Sequence, residues 1–486
     1  MSERHQDDSR VTGETDPQPG KGVSRREFLK IAGVAGATVG LGAGLGGVLA
    51  ACGGTVTTTT TTAAAPGSST TAAPESSTTV TSAAETGPEI KLGFVTPKTG
   101  ALAPFASTDA YILDVFTKWV GDGQVLGDNK KHPISVAVQD SQSDTNRASQ
   151  VAGDLINNGG ITLMVVASTP DTINPVAAQC EAGSTPCLAN DVPYQAFLGA
   201  APKDGYKWSW LLNFGVEDFA GNYTKVWTAL PTNKKIGVMW PNDADGSAFS
   251  SFMPDIIKSV GLTIVDGGRW QDGSEDFTQQ ITLFKKEGCE VMEGVFSTPD
   301  YTNFWKQCNQ QGWVPKIACV DKGLLFPKAI EAVGAIGIGL VSTLFWAPTW
   351  PYKSYLTGET CQQFADSFTK ASGEQWSSAL SHGTIFEMAA WVLQNATDPT
   401  SKTSIQTTAA TMKFDTMVGP IDFSAPVITA SPVPVGPGHV ADHVYKSPCM
   451  AGQWVKGTTY PFNFVGVANV AAPNIPVDAQ LVPIGG

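Results

Sequence analysis

The residues best placed to do chemistry come in a repeated arrangement. Ser168-Thr169-Pro170-Asp171 and Ser297-Thr298-Pro299-Asp300 spell the same tetrapeptide. Each follows an apolar run, ITLMVVA at 161–167 and EVMEGVF at 290–296, and each precedes a stretch that closes near a cysteine, Cys180 or Cys308. A Ser or Thr hydroxyl caps a helix start, and Pro fits the first turn because no donor is lost there. The free N–H groups of such a turn carry partial positive charge and suit a small polar ligand. This is chemistry of capture. Residues for turnover are sparse: the five histidines, His5, His132, His382, His439 and His443, stand beside no nucleophile motif, and G-x-S-x-G is absent. His439 and His443 form H-x-x-x-H near Cys449, but their Pro/Gly-rich surroundings fit a surface strand better than a metal site. Asp243-Ala244-Asp245-Gly246 resembles part of a calcium loop, yet Pro241 and Phe252 occupy the end positions where acids are required. No catalytic residue, metal site or cofactor is expected, and the chain reads as a non-enzyme.

The elements around the two turns follow one plan. Strands at 90–96, 134–140, 161–167 and 187–190 alternate with helices near 108–120, 144–157 and 170–181. A second series places strands at 235–240, 262–266, 290–296 and 316–320 between helices near 217–230, 247–260, 276–287 and 300–311. GIGLVSTLF at 337–345 carries the chain back, and helices are expected near 361–371 and 384–394. Alternating short apolar runs and helices predict parallel sheets covered on both faces. The expected fold class is therefore α/β, with two Rossmann-like lobes. Both tetrapeptides sit at the carboxyl end of a parallel strand, the edge where open α/β sheets bind ligands. The Pro-rich chain beyond Met417 gives no clear pattern.

The N-terminus is an address and not part of the fold. Arg25 and Arg26 in SRREFLK precede a Gly/Ala-rich apolar stretch ending in Leu49-Ala50-Ala51-Cys52. This reads as a twin-arginine export signal joined to a lipoprotein cleavage box, with Cys52 the lipidated first mature residue. Gly42 to Gly47 satisfies G-x-G-x-x-G, but inside an export signal it is no dinucleotide fingerprint. Residues 53–88, almost all Thr, Ser, Ala, Pro and Gly, form a tether that spans on the order of 30–35 Å as a coil. The net charge of −13 belongs to the mature part, since six acids and six bases cancel before Cys52. Such an acidic body excludes phosphate-based nucleic-acid binding. Export makes disulfides an expectation. The pairs considered are Cys180 with Cys187, Cys308 with Cys319, and Cys361 with Cys449, leaving Cys289 alone.

IKLGFVTPKTGALAPF, VQDSQSDTNRASQVAGDLINNGGITLMVVAST, IGVMWPNDADG, IACVDKG and VGPIDF, in that order, resemble the type I solute-binding proteins of the branched-chain amino-acid-binding kind. These are receptor components of ABC importers. The resemblance covers nearly all of 89–460 and implies two lobes joined by three crossovers, with the ligand in the cleft. It implies a first lobe of 89–213 plus 346–415 and a second of 214–345 plus 416–486, after the signal (1–52) and tether (53–88). Position by position, Phe105 matches a contact to the ligand side chain. Ser168 and Thr169 match the turn that cradles a ligand carboxylate. Ala189, Asn190 and Asp191 match a strand end supplying a carbonyl and a hydroxyl, and Asp321 matches the acid that pairs with a ligand ammonium. Asp245 stands where an aromatic residue is frequent, and Ser297 and Thr298 where a Tyr is common. Two aromatic walls thus read as polar, and Asp191 and Asp245 could each take an extra ligand donor. Trp346 and Trp350 are candidates for apolar walls, one of them for core packing. The implied protein is a lipid-anchored, extracytoplasmic receptor for an amino acid or a small polar amine or amide, with an ABC permease as partner. A ligand sensor of the same fold and an exported enzyme are the alternatives.

Overall fold

The computed structural model describes residues 84–485. The export signal, the lipidation residue Cys52 and most of the tether lie outside the described residues. The strands are β1 (Ile90–Thr96), the short β2 (Gln124–Val125) and β3 (Lys131–His132), β4 (Ile134–Asp140), β5 (Leu163–Ala167), β6 (Cys187–Asn190) and β7 (Ser209–Leu212). Then come β8 (Lys235–Pro241), β9 (Thr263–Trp270), β10 (Val291–Val295), β11 (Ile317–Asp321) and β12 (Val341–Leu344). β13 (Lys413–Thr416), β14 (Gly419–Asp422), β15 (Gly438–Ala441), β16 (Val444–Lys446), β17 (Met450–Lys456) and β18 (Phe462–Ala468) complete the chain.

Two seven-stranded sheets result, in the orders β15-β16-β7-β6-β5-β1-β4 and β18-β17-β12-β11-β10-β8-β9. The five strands β4, β1, β5, β6 and β7 pair in parallel, as do β9, β8, β10, β11 and β12. Each lobe is finished by late strands at one edge: β16 joins β7 in parallel with β15 antiparallel beyond it, and β17 and β18 add antiparallel to β12. Helices on both faces explain why β5 (LMVVA) and β10 (VMEGV) are buried at every position. The helix Gly383–Asn395 packs on β5 and β6, with Phe386 edge-on to Phe94.

The C-terminal strands do not all belong where the resemblance placed them. β15 and β16 extend the first sheet, so 416–486 is divided between the lobes. The chain therefore crosses three times: between β7 and the helix Val216–Ala229, after β12, and between β16 and β17. At the first and third crossings Lys446 is fully buried, its Nζ donating to Glu217 (2.8 Å), Asp218 (2.9 Å) and the Pro434 carbonyl (2.8 Å).

The expected disulfides are not formed. All seven cysteines among the described residues are buried free thiols. Alternation along β11 explains one pair: Cys319 faces the core beneath Phe219 and Phe249, whereas Cys308 packs with Ala318 and Val320 on the other face. Cys361 and Cys449 likewise lie in different cores. Cys180 and Cys187 share a core, and burial followed by thiol–thiol hydrogen bonding raises the Cys180 pKa. Among the described residues no helix is long and apolar enough to cross a membrane.

Candidate functional site

Between the lobes the strand ends enclose a cavity of about 60 Å³. The first lobe contributes Phe105, Thr169, Pro170, Asp191 and Pro193. The second contributes Asp245, Phe249, Val295, Asp321, Lys322, Leu325 and Thr343. Phe214, Phe219 and Phe345 come from the crossings. A further hollow of about 290 Å³ opens on the far side of Lys322, with Ala101, Leu102, Ser143 and Asp171 facing Asp272, Gly273, Ser297, Pro299 and Asp300. Lys322 belongs to both walls.

The two tetrapeptides thus meet across one gap, but they are folded differently. In the second copy Ser297 caps the helix Thr298–Gln310, and its hydroxyl donates to Asp300 Oδ2 at 2.6 Å. Asp300 also accepts from the Gly273 N–H at 3.1 Å. That turn is internally satisfied. In the first copy the helix Pro170–Ala182 starts one position later, with Thr169 as a cap that makes no side-chain bond. Ser168 Oγ and Thr169 Oγ1 are buried without a partner. One sequence therefore yields one closed turn and one open turn.

Backbone strain collects at the same edge. Ser168 follows β5, Asp191 follows β6 and Lys322 follows β11, with φ of 132°, 79° and 66°. Non-glycine residues avoid this region, at a cost of about 1–3 kcal/mol each, and it is tolerated mostly at working sites.

Charge is concentrated here too. Lys322 Nζ lies 2.9 Å from Asp245, 3.3 Å from Asp243 and 3.8 Å from Asp171. Asp171 belongs to the first lobe and the other two to the second, so this ion cluster spans the cleft. Burial alone would lower the Lys322 pKa, but the three carboxylates outweigh it and hold the ammonium charged. Burial raises Asp245 to about 6 despite Lys322. His382 sits between Asp191 (3.1 Å) and Asp109 (3.4 Å). Burial disfavours its charge, yet these hydrogen bonds raise its pKa to about 9. Asp321 Oδ1 accepts from the Thr343 hydroxyl at 2.5 Å and the Thr343 N–H at 3.3 Å, while Oδ2 has no partner. Burial raises Asp321 to about 6.

Of the residues expected from sequence, Phe105, Thr169, Asp191, Asp245 and Asp321 are brought to one cavity, and Ser297 lines the adjoining hollow. Ser168 is buried one position behind the wall. Ala189 lies in the core of the first lobe. Asn190 spends its amide on Thr384 Oγ1 (2.5 Å) and the Ser381 carbonyl (3.3 Å). Thr298 is half-buried in the first turn of its helix and reaches neither hollow. Trp346 is core, edge-on to Phe364 and Trp376. Asp191 and Asp245, expected to await ligand donors, already have His382 and Lys322. The aromatic walls expected to be missing are supplied by other positions: Phe214, Phe219, Phe249 and Phe345. Sequence reasoning missed these four, Lys322 and His382. Only Lys322 carried a signal, as the neighbour of Asp321 in IACVDKG.

The sequence profile described as "Periplasmic binding protein" matches residues 89–431. The chain belongs to that family. It is a periplasmic solute-binding protein of the ABC-transporter kind, with mostly parallel α/β lobes of type I. A second profile, "TAT (twin-arginine translocation) pathway signal sequence", matches residues 22–42, which marks this binding protein for export. Curated protein sequences yield no match. Among solved structures, the leucine binding protein LivK from Thermotoga maritima superposes with a TM-score of 0.64 at 15% identity, covering 78% of this chain and 99% of that one. A solute binding protein from Rhodopseudomonas palustris, in complex with 3,4-dihydroxy benzoic acid, gives 0.62 at 15% identity, covering 79% and 98%. A fatty acid ABC transporter substrate-binding protein from Thermomonospora curvata gives 0.62 at 14%, covering 81% and 98%. At such identities the likeness is one of fold.

Proposed function

We propose that this periplasmic binding protein is the lipid-anchored receptor of an ABC importer, tethered through Cys52 outside the cell membrane, and that it captures an amino acid or a related small amine or amide. The single observation that carries the ligand reading is a pair of orphaned groups on opposite lobes. Thr169 Oγ1 on the first and Asp321 Oδ2 on the second belong to residues of one cavity wall, are buried, and have no partner. A buried unsatisfied polar group costs about 1–3 kcal/mol. A solute offering an acceptor to one and an ammonium or amide N–H to the other relieves both, and does so only when the lobes are together. That couples binding to closure. The phenylalanines would surround the apolar part.

The experiment is a thermal-shift screen of amino acids, amides, polyamines and aromatic acids on the exported protein. A true solute at a hundred times its dissociation constant adds about 2.7 kcal/mol of stability. The receptor reading predicts a rise in melting temperature with at least one nitrogenous solute. A screen in which aromatic or fatty acids alone stabilise the protein defeats the ligand class.

A further inference from the structure

We infer that the solute of this receptor is an organic monocation with an apolar body and no free carboxylate, seated among the phenylalanines between Asp321 Oδ2 and Thr169 Oγ1. This rests on the receptor reading and narrows its ligand.

The cationic charge near the cavity is already spent. One cation lines the cavity, Lys322, and a second, His382, stands behind the lining residue Asp191. Lys322 is shared by three carboxylates, those of Asp245, Asp243 and Asp171. His382 is shared by two, Asp191 and Asp109. Asp321 has no cation at all; hydroxyl and N–H groups of Thr343 hold one of its oxygens, the buried Tyr223 side chain stands beside the carboxylate, and Oδ2 makes no hydrogen bond. Among the described residues lining the cavity, no cationic side chain is left for a ligand carboxylate. A free amino acid would place its carboxylate at Thr169, the next residue but one to Asp171 and a co-lining neighbour of Asp191. The helix start there carries partial positive charge, but Asp171 in its first turn already offsets it. In a buried site such like-charge contact is poorly screened.

An ammonium meets the opposite field. It reaches Oδ2 of Asp321 and lies among the rings of Phe105, Phe214, Phe219, Phe249 and Phe345, whose faces attract cations. The other end of the solute needs only a neutral acceptor. An amide carbonyl or a hydroxyl accepts from Thr169 Oγ1 without adding charge.

The test is calorimetric affinity of the full exported chain for two matched series: leucine, leucinamide and isoamylamine; phenylalanine, phenylalaninamide and phenethylamine. The amide and the amine of at least one series are expected to bind about ten-fold or more tightly than their parent amino acid. Asp321→Asn should abolish that preference. Thr169→Val, which keeps the volume, should weaken the amide and leave the amine, which has no acceptor, unchanged. Should Asp321→Asn fail to fold, the Thr169→Val comparison decides. Tighter binding of the free amino acids would overturn the proposal and leave the receptor reading standing. Binding by no member of either series overturns it as well. If the wider screen is also silent, the receptor's ligand class falls with it.

Discussion

Glu293 stands in the middle of a strand buried at every position, with Oε2 accepting from Trp240 Nε1 at 2.7 Å and Oε1 accepting nothing. Burial, then the nearby charge of Asp321, raises its carboxyl well above the usual range. The folded protein therefore favours the neutral form of this acid more than the unfolded chain does. The unfolded chain ionises it near pH 4.3 or so. Above that value the native state holds the extra proton, so its contribution to stability falls as pH rises towards the folded pKa. Glu293→Gln removes that slope. In urea titrations from pH 5 to pH 8 the variant should lose less stability than the parent. At the cavity, Asp321→Ala should weaken an amine-bearing solute by roughly 2–5 kcal/mol in calorimetry, because it takes away a buried carboxylate oxygen that has no partner within the protein. Unchanged affinity would move the ammonium elsewhere. Legibility at this scale was uneven. Asp321 could be picked out because its strand, turn and sequence neighbours resemble a family pattern. His382 could not, since its partners Asp109 and Asp191 are 273 and 191 residues away in sequence. Nor could the phenylalanines, because an aromatic residue at an element's end reads the same in a core as in a cavity.

At the scale of elements, the crossings and the ion cluster decide how the lobes sit. Lys446 closes β16 and is wholly enclosed by the first turn of the helix Val216–Ala229. Lys446→Met would leave Glu217 and Asp218 buried together without a counter-charge, and stability should fall by roughly 3–5 kcal/mol, measured by chemical denaturation. The Lys322–Asp171 contact is the cleft-spanning member of its cluster, at 3.8 Å with Asp171 about one third exposed. Asp171→Asn should cost the closed state no more than about 1 kcal/mol. The expected readout is a larger radius of gyration in X-ray scattering without solute, with full compaction restored at saturation. Most strands and helices were legible as regular apolar runs: β1 and β4 occupy the expected spans, and the helix Pro170–Ala182 exceeds its own by one residue. The segment after Met417 was not. β13 to β16 are only three or four residues long, too short for a period to show, and β16 takes its place in the sheet from the distant β7.

For the whole molecule, the doubled tetrapeptide gave away the doubled architecture, and the strand order explains why both copies reach one gap. It could not reveal that the copies would diverge. That difference comes from a one-position shift in where the helix begins, which no tetrapeptide encodes. The unbonded thiols carry a consequence for how the protein reaches its place of work. A domain whose core needs no oxidation can complete folding in the reducing cytoplasm before the translocase ever engages it, which suits a route marked by the twin-arginine profile. Refolding under a reductant should then reach the same melting temperature as refolding under air, and a thiol reagent should label the native body slowly and the denatured body at seven sites, Cys52 aside.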